Sequence, residues 1–318
     1  MITVPATTGP GAFVHPALFY AGIAEYVTGV GGFVRAALSA GEPVLVAVPG
    51  PHLDALRESL GASRTEVVWT DMTELGRNPG RILAALQDFA DRHHGRAARI
   101  VGEPIWPGRS PAEVLEATRH EALINTAFAG RTATILCPYD VQGLESAVVA
   151  DARRTHPTLI ESGRDLPSAA YTDASAVSAD CDRPLPEPDG EVLRLEYSHG
   201  ELADVRAQAE SWARGTALTA ARRGDLVLAV SEAAANSLAH GGGKGTLRLW
   251  TTAGPGSDVV AEVHDGGRLA DPLAGRRRPS LASARGGRGL WMIHQLCDLV
   301  EIRATAGGFT LRLHVATP

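Results

Sequence analysis

An α/β protein in two parts is the fold this sequence predicts: a mainly parallel α/β layer over residues 1–162 and an α/β sandwich over 191–318, joined by a linker over 163–190. Three observations predict it. Before residue 160, short apolar runs alternate with segments of helical spacing, as in a sheet whose parallel strands are joined by helices. After residue 190, strand-like segments are grouped around helical stretches, as in helices packed on an antiparallel sheet. Between them, residues 162–190 lose large apolar side chains and gain prolines and turn residues.

In the first part, Val44–Val48 is a continuous apolar run ended by Pro49, Gly50 and Pro51, which predicts a buried strand. A helix over 53–60, a strand over 67–69, a helix over 82–90 and a strand over 98–102 follow. Ser110, Pro111 and Glu113 supply helix-start chemistry for a helix over 111–129. Residues 132–137 predict a strand ended by Pro138, and 143–154 a further helix. In the second part, 192–197 alternate as a half-buried strand does, and 202–218 carry Val205, Ala209 and Trp212 near one helix face. The stretch from Asp225 is alanine-rich and free of Pro and Gly until Gly241, so it predicts a helix ended by glycines. Strands over 246–252 and 259–264, a loop over 268–288 with Arg276, Arg277 and Arg278, a helix from Leu290, and strands over 299–305 and 309–315 complete the chain.

The 318 residues carry a formal net charge of −6 and are 44% hydrophobic, an ordinary globular balance that argues against a general nucleic-acid binder. Cys137, Cys181 and Cys297 are scattered and lack metal-site spacing, which points to a reducing compartment. No apolar run approaches the ~18 residues of a membrane span, and the first residues lack a basic then apolar leader. The expected location is the cytoplasm, without membrane or direct nucleic-acid contact; a homodimer is left open. Residues 28–33 have glycines but no Lys-Ser/Thr pair, so no P-loop is expected.

Three short patterns carry chemistry. Glu232 and Asn236 stand four apart on the alanine-rich helix, hence on one face. A carboxylate there can act as base and an amide oxygen can ligate Mg²⁺, although both can also simply face solvent. Asp265 and Gly267 follow a strand, where an acid can accept from an adenine amino group. Gly287, Arg288, Gly289 and Leu290 open a helix, whose N-terminus favours phosphate.

In this order the patterns resemble the Bergerat-type (GHKL) ATPase domain, in the branch of bacterial anti-sigma serine kinases. The resemblance covers about residues 190–318 and implies ATP and Mg²⁺ as ligands. It makes Glu232 the base, Asn236 the Mg²⁺ ligand, Asp265 the adenine reader, and Gly267, Gly287, Arg288, Gly289 and Leu290 part of the nucleotide site. Thr310 matches a late threonine that supports the adenine contact in that family, and Leu269 stands where a second glycine is often found.

Residues 12–162 resemble the MEDS sensory domain through His15 with Tyr20, Gly41-Glu42-Pro43, Glu103, Cys137-Pro138-Tyr139-Asp140 and His156-Pro157. That resemblance implies a RecA-like parallel α/β sensor without ATPase chemistry. His15, Tyr20, Glu103, Tyr139 and Asp140 are then the candidate sensory site for a small-molecule signal. From chain position alone, His15, Glu103 and His156 fit capping or turn roles, whereas Tyr139 and Asp140 follow a strand, where α/β sheets bind ligands. Cys137 fits a buried small hydrophobe.

Together the resemblances imply an anti-sigma regulator that sequesters a sigma factor and phosphorylates a serine or threonine of an anti-anti-sigma protein. Two alternatives stand beside it. A sensor histidine kinase needs an acceptor histidine on a helix before the ATPase domain, and residues 162–190 contain none. A non-catalytic, ATP-gated binding switch needs only the pocket.

Overall fold

The computed structural model describes residues 11–252, 258–279 and 288–318. The chain divides between Ser178 and Ala179 into two compact units.

The first unit runs β1 (Phe13–Val14), β2 (Pro16–Tyr20), α1 (Gly22–Ser39), β3 (Val44–Val48), α2 (Gly50–Leu60), β4 (Val67–Asp71), α3 (Met72–Leu75), α4 (Ile82–Arg92), β5 (Ala98–Gly102), α5 (Pro111–Ala127), β6 (Ala133–Asp140), α6 (Ser146–Thr155), β7 (Thr158–Glu161) and β8 (Arg164–Pro167). Its strands lie in the order β4-β3-β5-β6-β2-β7-β8 with β1 beside β6. Every pair is parallel except β7 with β8. Strands buried on both faces read as unbroken apolar runs, and Val44–Val48 is of that kind. The α5 start is a full capping box: Ser110 accepts the Glu113 N–H, and Glu113 accepts the Ser110 N–H at 2.8 Å.

One stretch that the sequence left unassigned is helical, and one strand end shifts. Residues 28–33 lie inside α1, with Gly29 and Gly31 buried. And β6 does not end at Pro138 but runs on to Asp140. The β5 ladder stops at Leu136, so Pro138 is flanked in the ladder by β2 alone and its missing N–H breaks no pair on the β5 side.

After α7 (Ala174–Asp180), the second unit comprises β9 (Leu193–Ser198), α8 (Leu202–Ala213), α9 (Ala220–His240), β10 (Lys244–Thr251), β11 (Asp258–Asp265), α10 (Arg288–Leu296), β12 (Leu299–Thr305) and β13 (Gly308–Ala316). Five antiparallel strands in the order β12-β13-β11-β10-β9 form its sheet. One face, with Leu247, Leu249, Val259, Ala261, Val263, Leu311 and Leu313, packs on the helices, where Ala229, Ala233 and Ala234 of α9 allow close approach. The other face carries a charged ladder. Arg312 donates to Glu262 at 2.7 and 2.9 Å, and Arg248 donates to Glu262 at 3.0 Å and to Glu187 at 2.6 Å.

Residues 163–190, expected as a linker, carry β8 and α7 and then lie along this charged face. Arg303 donates to the Arg183 carbonyl at 2.9 Å, and Arg312 to the Pro186 carbonyl at 2.9 Å. Among the described residues no helix is long and apolar enough to cross a membrane.

Candidate nucleotide site

On α9, Val230, Ala233 and Ser237 are buried, while Glu232 and Asn236 are half-buried one turn apart. The first turn of α10 lies against them. A Cβ on Gly289 would stand 2.9 Å from Glu232 Oε2 and 3.1 Å from Asn236 Nδ2. Only glycine lets a helix start, with its unsatisfied N–H groups and positive dipole end, come so near an acid and an amide.

Asp265 takes the inward position next after Val263, following the period of two along β11, and is 7% exposed. Its Oδ1 accepts the Gly267 N–H at 2.7 Å. A Cβ on Gly241 would fall 2.3 Å from Asp265 Cγ, and one on Gly267 would fall 2.7 Å from its Oδ1. Two glycines therefore let the end of α9 and the loop after β11 close on one carboxylate. Asn236, Asp265, Gly267, Gly289 and Leu290 line a single cavity of about 340 Å³, with Leu269 and Phe309 among its apolar walls. A few convergent polar groups in an apolar cavity of this size are the usual form of a small-molecule site.

Among the described residues of the first unit, two buried polar clusters contain expected sensory residues. At the C-terminal ends of its strands, Glu103 accepts from Tyr20 and Tyr26, each at 3.2 Å, and pairs with His52 at 2.8 Å. Burial pushes the Glu103 carboxyl above its ordinary range. Burial works to lower His52, but the Glu103 carboxylate outweighs it and raises the imidazole. Asp140 ends β6 directly opposite Tyr20. The second cluster gathers His15, Glu121, Cys137 and His156, with the Tyr139 ring edge-on to His156 at 5.5 Å. Burial, and then the neighbouring His156, lower His15 to about 4.

Residues 14–157 match the family model of the MEDS domain, described as MEthanogen/methylotroph, DcmR Sensory domain. Residues 196–315 match that of the histidine kinase-like ATPase domain. The chain joins a MEDS domain to a histidine kinase-like ATPase domain. No curated protein matches the chain. Solved structures that match include the crystal structure of the RsbU and RsbW domains of a protein from Mycobacterium tuberculosis. That match is 22% identical with a TM-score of 0.30, covering 41% of this chain and 34% of that one.

The ATPase-domain match takes in all the cavity residues named above, and two expectations need correction against them. Thr310 pairs with His264 on the charged face and bonds it at 2.9 Å, so its hydroxyl lies across the sheet from the cavity; Phe309, opposite Asp265, takes the inward place. Arg288 opens α10 but is exposed and is not a lining residue. Gly287 lies outside the described residues. In the loop after β11, Arg276 is 1% exposed, whereas Arg277 and Arg278 are exposed.

In the MEDS domain, His15, Glu103 and His156 are all members of the buried clusters, and His156 is also the C-cap of α6, as its expected role allows. The five expected sensory residues split, with Tyr20, Glu103 and Asp140 at one end of the strands and His15 and Tyr139 in the other cluster. Tyr26, His52, Glu121 and Asn125 were not anticipated. Glu121 and Asn125 sit four apart on α5, the same acid–amide spacing that drew attention to Glu232 and Asn236.

Proposed function

We propose that this protein is a signalling regulator of the anti-sigma type. Its ATPase domain binds ATP with Mg²⁺, sequesters a sigma factor, and phosphorylates a serine or threonine of an anti-anti-sigma protein. The MEDS domain receives the signal that biases these states. The observation that carries the reading is the packing of Gly289 against both Glu232 and Asn236, with Asp265 lining the same cavity as Gly289 and Asn236, and Glu232 standing beside it. Adenine's amino group suits the acceptor Asp265, and phosphate suits the α10 start. The Asn236 amide and the Glu232 carboxylate offer hard oxygen donors, which fit Mg²⁺. Mg²⁺ held through the Asn236 oxygen supplies neutralisation of phosphate charge. Glu232 is then the group on this chain that orients the attacking hydroxyl and takes its proton.

The test is transfer of labelled γ-phosphate from ATP in native extract, with the full chain as enzyme. An acid-stable label on a separate protein, slowed about 10²–10⁴-fold by Glu232→Gln while ATP binding persists, is the expected result. An acid-labile label on this chain itself indicates a histidine kinase instead. ATP-dependent partner release without any transfer indicates a switch.

A further inference from the structure

We propose that the MEDS domain holds one Zn²⁺ ion, bound by His15, Glu121, Cys137 and His156. His15 precedes β2, Glu121 is on α5, Cys137 is on β6 and His156 caps α6, so the fold assembles a set that no short sequence spacing announces. All four are at most 2% exposed, and one donor atom from each lies within 4.8 Å of the others.

The hydrogen bonds around the cluster fix which atoms face inward. Asn125 donates its amide hydrogens to the carbonyls of Ala122 at 3.3 Å and Thr155 at 2.8 Å. Its Oδ1 is thereby turned to His15 Nδ1, 3.1 Å away, and that nitrogen is the donor. His156 Nδ1 stands 2.8 Å from the Ala152 carbonyl, which only accepts. Each ring has used its Nδ1 hydrogen outside the cluster, so each neutral imidazole turns its Nε2 lone pair inward. His15 Nε2 meets Glu121 Oε2 at 3.1 Å and Cys137 Sγ at 3.3 Å, and His156 Nε2 meets the same Oε2 at 3.2 Å.

Two lone pairs, a carboxylate and a sulfur thus converge with one thiol hydrogen among them. Glu121 Oε1 and His156 Nε2 are buried without a hydrogen-bond partner. Acceptors facing acceptors in a dry interior call for a cation. A tetrahedral zinc site with bonds of about 2.0–2.3 Å has ligand–ligand edges of roughly 3.3–3.8 Å. The four contacts here span 3.1 to 3.3 Å, close to that size. Two nitrogens, one sulfur and one oxygen suit zinc rather than Mg²⁺ or Ca²⁺. With the thiol ionised by the metal, Zn²⁺, one thiolate and one carboxylate sum to zero charge, which a buried centre requires. Asn125 and the Ala152 carbonyl are the outer partners that hold ligand imidazoles in place. Four protein ligands and no open face make the site a structural one that ties β6, α5 and the end of α6 together.

The test strips the full-length chain with a chelator under reducing conditions and titrates Zn²⁺ against a chromophoric competitor, following thermal melting in parallel. We expect one equivalent bound, a melting temperature that rises with zinc, and a thiolate-to-metal charge-transfer band on Co²⁺ substitution that Cys137→Ser abolishes. Asn125→Ala keeps all four ligands and should bind about 10–100-fold more weakly, a readout that does not depend on a ligand variant folding. Uptake of less than one equivalent by the unmutated chain, melting indifferent to zinc, or equal uptake by Cys137→Ser would overturn the proposal and leave a shared proton as the cation.

Discussion

A single methyl group at position 289 would stand 2.9 Å from the Glu232 carboxylate and 3.1 Å from the Asn236 amide. Both obstructing atoms are ends of flexible side chains, so Gly289→Ala should fold and melt within a few degrees of the parent. Its cost falls on the site, because the two groups must move aside. We expect Mg-ATP affinity to drop about tenfold, or ~1.4 kcal/mol, measured by calorimetry; an affinity unchanged within twofold would show that Glu232 and Asn236 are not held by this packing. Glu232, Asn236, Asp265 and Gly289 were all legible in the sequence because spacing and glycines mark them. Thr310 was misplaced although the sequence held the correction. Phe309, Leu311, Leu313 and Val315 alternate inward, which puts Thr310 on the other face beside His264. The clusters around Glu121 and Glu103 were not legible as clusters, since their members come from elements far apart in the chain.

Among elements, β3 to β6 and the five strands of the second unit were readable, because apolar runs and alternation survive in composition, whereas β1, β2, β7 and β8 were not assigned. Helix α1 was not, since Gly29, Gly31 and Gly32 lower helix propensity and only packing overrides it. The strap over 182–187 was also hidden: its prolines predict extended chain, but nothing in it names the charged sheet face it covers. That face carries a titratable contact across three strands. His314 on β13 lies 3.3 Å from Asp258 of β11 and 3.0 Å from Glu301 of β12. Burial lowers His314, but the two carboxylates prevail and raise it above 6.5; burial raises Glu301, but His314 prevails and lowers it below 4.5. The raised histidine contributes stability that is full below 6.5 and is lost as pH rises through its folded value. The lowered Glu301 contributes above 4.5 and is lost as pH falls through its own. Amide protection factors in β12 and β13 should therefore be highest between 4.5 and 6.5 and decline above it, and His314→Gln should flatten that decline. The same decline in the variant would assign it to other groups.

For the whole molecule, the two-part organisation followed from the composition shift near residue 162, whereas the compact units meet at Ser178 and Ala179. The difference arises because β8 adds to the first sheet through the tight hairpin at Ser162 and Gly163, and residues 182–187 belong with the second. The functional reading rests on one claim, that the cavity between α9, β11 and α10 is a Mg-ATP site. A calorimetric titration of the full chain with ATP, with and without Mg²⁺, tests it most directly. The account predicts binding that requires Mg²⁺ and is weakened about tenfold or more, at least ~1.4 kcal/mol, by Asn236→Ala. ATP binding indifferent to both Mg²⁺ and Asn236→Ala, or no binding by the folded chain, would contradict it.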